Sequence, residues 1–367
     1  MSERDQYQQL RAEFDAYDQA VDVVSCWESF TNATYAFRFE ELYFDRFPSI
    51  TIDDDDDSED ITPDFTIYFN QDYSIVGEIK RTFPNDPKPF RRTVEQLTKY
   101  DCCPEVKAND GSYRSTAKTD ILLLVSSTNA NQIGTRIDKL RKTNEISFAE
   151  NLVMLRYWFN QMDTVARYEF ERVTQLSDEF RDEPIPDEIA LSNEIGPEGD
   201  YGTMITPPKY FVPEKAKKPV CNDRPPGQYL ATVLWHKIFP QYLSEDEYLQ
   251  WQAGTAQKTM PIERTVDEIQ SDLNEYLVDG YARRRWIRES LEFLATANLA
   301  EPIDDGFLIK FRGLVRRTGN DQQEGLDDVN RTSELADTFI SRFVKYTDEE
   351  VETDEEDDLG QLSFDEF

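Results

Sequence analysis

Two rhythms of hydrophobic and polar positions alternate along the first half of the chain. Residues 4–20 are polar and helix-forming. Over 26–47 (CWESFTNATYAFRFEELYFDRF) Phe30, Phe37 and Phe44 recur at a heptad spacing, with Phe47 close behind. That stripe predicts an amphipathic helix over 26–47, stopped by Pro48. The run Asp53 to Asp57 reads as a flexible, solvated loop. The rhythm then shortens. Residues 65–69 (FTIYF) and 73–83 (YSIVGEIKRTF) read as two strands joined by a turn at Asn70, Gln71 and Asp72. Pro84 and Pro87 break the chain, and 90–100 is helical. The unbroken apolar run 119–126 (TDILLLVS) predicts a buried strand, and 129–142 an amphipathic helix capped by Asn129 or Asn131. Residues 152–159 and 167–174 read as further strands. Helix, two strands, helix, strand, helix, strand is an α/β layer arrangement around a mixed sheet.

The pattern lapses over 176–226, where proline and glycine gather, and this reads as a linker. A second unit follows. Residues 229–239 and 265–277 are helical, the latter opened by a Thr265/Glu268 capping box. Asp279-Gly280 makes a turn, 282–299 is a helix, and 301–313 reads as a hairpin with Asp305-Gly306 at its tip. This is the outline of a winged helix-turn-helix. The expected organisation is an α/β domain over 1–175, a linker over 176–226, a winged-helix domain over 227–320 and an acidic tail over 321–367, with a helix at 333–345.

Charge changes how partners are read. The 367 residues carry 74 acids against 40 bases, a net charge of −34. Acid spread along the chain, with lysine the minority cation, is the habit of extreme halophiles. Carboxylates keep a surface hydrated in molar salt, where self-repulsion is screened. The expected source is a halophilic archaeon or its virus. Net acidity therefore does not exclude a nucleic-acid partner, and local basic excess becomes the informative signal. It occurs from Lys80 to Lys99 (with Arg91 and Arg92), at Arg136, Lys139, Arg141 and Lys142, at Arg283, Arg284, Arg285 and Arg288, and at Lys310, Arg312, Arg316 and Arg317. No apolar run is long enough to span a bilayer, and the polar N-terminus lacks the apolar core of a secretory signal. The single histidine, His236, excludes two-histidine metal or phosphotransfer chemistry and reads as structural. Cys26, Cys102, Cys103 and Cys221 have no zinc spacing and read as reduced thiols of a cytoplasmic protein.

One constellation carries chemistry. Pro63-Asp64 opens the first hairpin strand, and Glu78-Ile79-Lys80 lies on the second. Glu78 and Lys80, two apart on a strand, share a face, while Ile75 and Ile79 point to the other. Two carboxylates on adjacent strands can hold Mg²⁺, and a neighbouring lysine can offset phosphate charge. At these residues the chain resembles the PD-(D/E)xK nuclease superfamily, the restriction-endonuclease-like fold. Gln96-Leu97-Thr98-Lys99-Tyr100 resembles the Q-x-x-x-Y element of its RecB-like branch, with Gln96 and Tyr100 on one helical face. The resemblance covers roughly residues 25 to 160. It implies a Mg²⁺- or Mn²⁺-dependent deoxyribonuclease in which Asp64, Glu78 and Lys80 are catalytic. Gln96 and Tyr100 would place the DNA or the metal. It also implies a glutamate on the helix before the first core strand, for which Glu40 and Glu41 are the candidates. The aspartate run before the motif departs from the family pattern.

In the second unit, Arg283, Arg284, Arg285 and Arg288 fall in the first turns of the helix over 282–299, where recognition helices meet a duplex, and Lys310 and Arg312 lie on the wing. The last residues, Gln361-Leu362-Ser363-Phe364-Asp365-Glu366-Phe367, resemble the sliding-clamp-binding peptide of archaeal and eukaryotic replication proteins, with Gln361, Phe364 and Phe367 as its contacts. The expected partners are thus DNA, a sliding clamp and a second copy of the chain. The rival expectation is a non-catalytic DNA-binding regulator built on a nuclease-like scaffold.

Overall fold

A computed structural model describes residues 2–46, 48, 50–54, 57–81, 83–102, 105–162, 165–173, 176, 178, 181, 203–205, 224–252, 259–277, 282–312, 314 and 333–347. The chain divides into two compact units, one of Ala20–Pro208 and one of Met1–Gln19 with Lys209–Phe367.

Helix α1 (Glu3–Tyr35) is continuous and ends well before Pro48. Phe37 lies beyond it and is 74% exposed, and Phe44 sits on strand β1 (Tyr43–Arg46). The heptad spacing of the three phenylalanines therefore spans a helix, a turn and a strand. Thr31, Asn32 and Thr34 are weak helix formers. Past them the aromatic run gains more from the sheet edge, where Phe44 stacks on Phe65 with centroids 5.1 Å apart. Strands β2 (Ile50–Asp54) and β3 (Asp57–Ile61) pair antiparallel, so Asp53, Asp54 and Asp57 stand on a ribbon and not in the expected loop. The alternation of Ile50 and Ile52 with polar residues is the sequence cue for it.

The main sheet is then laid down by β4 (Phe65–Asn70), β5 (Tyr73–Lys80), α2 (Pro87–Thr98), the two-residue strands β6 (Val106–Lys107) and β7 (Tyr113–Arg114), β8 (Lys118–Ser126), α3 (Ala130–Lys142), β9 (Asn151–Met162), β10 (Val165–Arg172) and β11 (Thr203–Ile205). Its seven strands run in the order β1-β4-β5-β8-β9-β10-β11. β5, β8 and β9 are parallel, and the other pairs are antiparallel. β11 lies within the stretch read as linker and pairs with β10. At the β4–β5 turn, the Asn70 side-chain oxygen accepts from the backbone N–H groups of Asp72 and Tyr73, at 2.8 and 3.1 Å. Asn129 stands at the N-cap of α3 without a side-chain cap bond.

Helices cover both faces. On one, Trp27 of α1 packs on Phe65 and Phe170, and Phe30 on Tyr35. On the other, Phe90, Val94 and Leu97 of α2 and Ile133 and Ile137 of α3 bury Val76, Leu123, Val125 and Met154. Gly77 permits the first layer to close, because a Cβ there would stand 2.1 Å from the Phe65 ring.

The second unit contains α4 (Gly227–Val233), which runs on through a π-helical stretch (Leu234–Ile238, holding His236) and a 3₁₀ turn (Phe239–Tyr242). It continues with α5 (Glu245–Gln252), β12 (Met260–Arg264), α6 (Val266–Tyr276), α7 (Arg284–Thr296), β13 (Ala300–Ile303), β14 (Gly306–Phe311) and a helix over 333–347. The three strands pair as β12-β14-β13. The capping box forms: the Glu268 N–H donates to Thr265 Oγ1 at 3.2 Å and the Thr265 N–H to Glu268 Oε2 at 2.8 Å. The hairpin turns at Asp304 and Asp305, one residue earlier than expected, because Gly306 already pairs with Ile303. A Cβ on Gly306 would meet the Arg264 carbonyl oxygen at 2.2 Å, so the close approach of the end of β12 needs glycine there. Trp235 packs on Phe311 and Phe339, and Arg342 donates to the Ala297 and Asn298 carbonyls at the end of α7. Among the described residues no helix is long and apolar enough to cross a membrane.

Candidate active site

Strand alternation on β5 turns Glu78 and Lys80 toward α2, and helix periodicity on α2 and the turn after it brings Gln96 and Tyr100 to meet them. Glu78 is buried, with 5% of its surface exposed. Its Oε1 lies 2.5 Å from Lys80 Nζ, and its Oε2 accepts from the Tyr100 hydroxyl at 2.7 Å. Lys80 Nζ also donates to Gln96 Oε1 at 3.4 Å. A buried carboxylate needs such partners, and the ammonium and phenol supply them. Asp64 stands just before β4, in the extension of a register that pairs Phe65 with Gly77. Its Oδ2 accepts from the Ile79 backbone N–H at 2.6 Å, so the carboxylate prolongs the strand ladder by one rung. The four side chains Glu78, Lys80, Gln96 and Tyr100 are thus joined to one another, and Asp64 is tied to the backbone between Glu78 and Lys80.

Glu40 and Glu41 are not on a helix. Both follow α1, in the turn that leads to β1. Glu41 accepts from the Tyr68 hydroxyl at 3.1 Å and from Arg114 at 3.3 Å, and the Glu40 carbonyl accepts from Asn109 at 3.3 Å. Tyr68 lies four residues along β4 from Asp64, about 13 Å of strand. The early end of α1 is the cause, since it leaves both glutamates at the far end of β4. The α1 carboxylate that does face this edge is Glu28. It pairs with Arg46, which stands in register with Phe65, next to Asp64. Arg46 is 4% exposed, and among the described residues its Nε and Nη1 have no hydrogen-bond partner. A lone acid within the aromatic stripe of Trp27 and Phe30 was the available sequence signal. Tyr157 on β9 gave no signal beyond its place in an apolar strand. Among the described residues its buried hydroxyl has no hydrogen-bond partner, and burial pushes the phenol well above its ordinary range. The Arg81 charge counteracts that shift and the Asp64 charge adds to it.

As a donor set, Asp64 and Glu78 are two hard-oxygen groups, which suits a cation such as Mg²⁺ or Mn²⁺ that keeps several waters. Among the described residues no group of three or more histidine, cysteine, aspartate or glutamate side chains is gathered for a metal ion.

The basic clusters separate by role. Arg91 pairs with Glu95 at 2.8 Å and Glu145 at 3.4 Å, and Arg92 is exposed. Arg136 lies 3.6 Å from the Phe90 ring centroid and donates to the Pro84 and Asn85 carbonyls, bracing the segment that follows Lys80. In the second unit Arg283 is the N-cap residue of α7 and lies over Trp286. Arg284 pairs with Asp267 at 2.9 Å, Arg285 pairs with Glu289 at 2.8 Å, and Arg288 is exposed. Lys310 pairs with Glu301 at 2.6 Å, while the buried Nε of Arg312 has no hydrogen-bond partner among the described residues. Gln361, Phe364, Phe367, Arg316 and Arg317 lie outside the described residues.

A second buried carboxylate occupies the opposite end of the parallel strands. Asp120 accepts from the Tyr73 hydroxyl at 2.7 Å and the Arg181 N–H at 2.8 Å, and Arg181 also pairs with Glu150. Burial outweighs these bonds and pushes its carboxyl up to about 6. Compared with known proteins, the chain matches no family model, no curated protein and no solved structure.

Proposed function

We propose that this chain is a divalent-metal-dependent DNA nuclease of the PD-(D/E)xK kind. The observation that carries the reading is the joining of Glu78, Lys80, Gln96 and Tyr100, with Asp64 bound to the intervening Ile79 amide. These are the residues on which the sequence resemblance rests, and they lie at the C-terminal end of a parallel strand, where open α/β sheets commonly place their ligands. Asp64 and Glu78 would hold the cation. Bound there, Mg²⁺ or Mn²⁺ would acidify an attacking water and stabilise charge on a phosphate oxygen. Lys80 sets a positive charge beside the same point, and Tyr100 and Gln96 hold Glu78 and Lys80 in place.

In the second unit the order helix, strand, two helices and a two-stranded hairpin supports a winged-helix reading, with α7 presented to the duplex. The C-terminal peptide, on sequence alone, supports recruitment to a sliding clamp. The deciding experiment incubates the full chain with single-stranded, duplex and branched DNA in KCl with Mg²⁺ or Mn²⁺. Cleavage by the wild type is expected, with a loss on the order of 100-fold or more in Asp64→Asn and Glu78→Gln while DNA binding persists. Wild-type turnover in Asp64→Asn would sink the mechanism, and an inert wild type that binds DNA would favour the regulator reading.

A further inference from the structure

We propose that the outer face of α2 is the track along which the backbone of the cleaved DNA strand reaches this site. The inference rests on the nuclease reading and deepens it by naming what the protein grips beside the cut. Helix periodicity builds the track. Phe90, Val94 and Leu97 turn inward onto the sheet, which leaves Lys88, Arg92 and Gln96, spaced four apart, in one exposed row on the other side. Lys99, the C-cap residue, falls in the same arc. Gln96 is the inner end of the row, because its Oε1 accepts from Lys80 Nζ at 3.4 Å. Gln96 is exposed and Lys80 is partly so, and this is therefore the side on which the site meets solvent. One helical turn, about 5–6 Å between Cβ atoms, carries the row from Gln96 to Arg92, and a second carries it to Lys88.

Charge chooses the occupant. Glu95 is the one acid of α2, and it is bound to Arg91 at 2.8 Å on the neighbouring face. Lys88 and Arg92 have no ion-pair partner among the described residues. The chain carries 74 acids against 40 bases, so two cations in line without a carboxylate stand out from a surface otherwise kept hydrated by acid. A row of cations stepping outward from the site matches a row of phosphates. The phosphates nearest to a scissile one are its neighbours on the same strand. Arg92 offers one of them a planar fork of donors, and Lys88 offers the next a point charge. Such contacts fix the register of the strand and carry no base information, so the track holds DNA of any sequence alike.

The test compares the full-length wild type with Lys88→Ala/Arg92→Ala and with Lys118→Ala, which changes an exposed lysine at the opposite end of the parallel strands. Binding of a fluorescent oligonucleotide, of the DNA form that the wild type cleaves, is read by anisotropy in EDTA over the KCl range in which all three proteins stay folded. Cleavage in Mg²⁺ gives KM and kcat. The double variant should bind about tenfold more weakly, with the slope of log Kd against log [KCl] lower by about 2, a raised KM and an unchanged kcat. Lys118→Ala should match the wild type. Neutral methylphosphonates placed one to three linkages from the mapped cut, on the cleaved strand, should weaken binding by the wild type and cost the double variant nothing more. Unchanged affinity and slope in the double variant would overturn the track and leave the nuclease reading standing. So would an equal loss per charge in Lys118→Ala, or methylphosphonates that cost the double variant as much as the wild type. A wild type that cleaves no DNA would overturn the nuclease reading, and the assignment of the cleaved strand with it.

Discussion

Two buried carboxylates at opposite ends of the same parallel strands show how local partners decide what a residue can do. Glu78 sits against an ammonium at 2.5 Å, whereas Asp120 has its guanidinium partner at 3.7 Å and depends on neutral donors. Burial therefore raises the Asp120 carboxyl from 3.8 to about 6. Between those values the folded chain holds more protons than the unfolded one, so this residue's contribution to stability falls as pH rises through the window. The accumulated cost above pH 6 is roughly 3 kcal/mol. In Asp120→Asn the amide oxygen can still accept from Tyr73 and Arg181, and the titration is gone. Denaturant melts of both proteins should show the variant gaining on the wild type as pH climbs from about 4 to about 7. A constant gap would show that Asp120 does not titrate in this range. At this scale the sequence made legible those contacts whose geometry is local. Glu78 and Lys80 are two apart on a strand, and Gln96 and Tyr100 four apart near a helix end. Glu28 was hidden because it reaches the edge only through Arg46 and the pairing of β1 with β4.

Among elements, the helix with a capping box was the most legible. α6 begins after Thr265 as the box requires, whereas α2 begins at Pro87, three residues before the expected start, because proline at the first helical position gives up no hydrogen bond. The failure came where no cap or glycine marked an end. The aromatic run after Tyr35 suits a helical stripe and an edge strand equally, and only pairing with β4 decides, which moved Glu40 and Glu41 off the helix. α7 is the element whose proposed role is most directly testable. Its inner face buries Trp286, Ile287, Leu291 and Leu294, so its outer arginines can be changed without loosening the unit. The Arg284–Asp267 and Arg285–Glu289 pairs are largely exposed and add little stability. Replacing Arg283, Arg284 and Arg285 together with alanine should leave the melting temperature within a few degrees, since alanine is the better helix former. DNA affinity, read by fluorescence anisotropy at fixed KCl, should fall by on the order of 1–3 kcal/mol for each arginine that had bonded a base edge. Unchanged affinity would make α7 a packing surface, and the winged-helix reading would fail with it.

For the whole molecule, the charge of −34 governs the response to salt. Salt acts on it in two opposing ways. Screening weakens the exposed ion pairs, such as Arg91–Glu95 and Lys142–Asp138, and it also weakens the mutual repulsion of the carboxylates. The first effect is small, because exposed pairs contribute about 0–1 kcal/mol each. The second is summed over an excess of acid that no arrangement of 40 bases against 74 acids can neutralise. Repulsion therefore wins, and added salt should stabilise the fold. The Debye length shrinks from about 10 Å at 0.1 M to about 3 Å at 1 M, below the spacing of most surface charges, so the gain should be steep at first and then level off. A series of thermal melts in KCl should show the melting temperature rising across that range. Acidification toward pH 5 at low salt should recover part of the same gain, because it removes carboxylate charge without adding ions. The aspartate ribbon of β2 and β3 offers a local version of the test. Replacing Asp53, Asp54 and Asp57 with asparagine should flatten the low-salt end of the curve and leave the high-salt end unchanged. A melting temperature that falls as KCl is added would mean that specific ion pairs outweigh net repulsion, and the halophilic reading of the composition would be wrong.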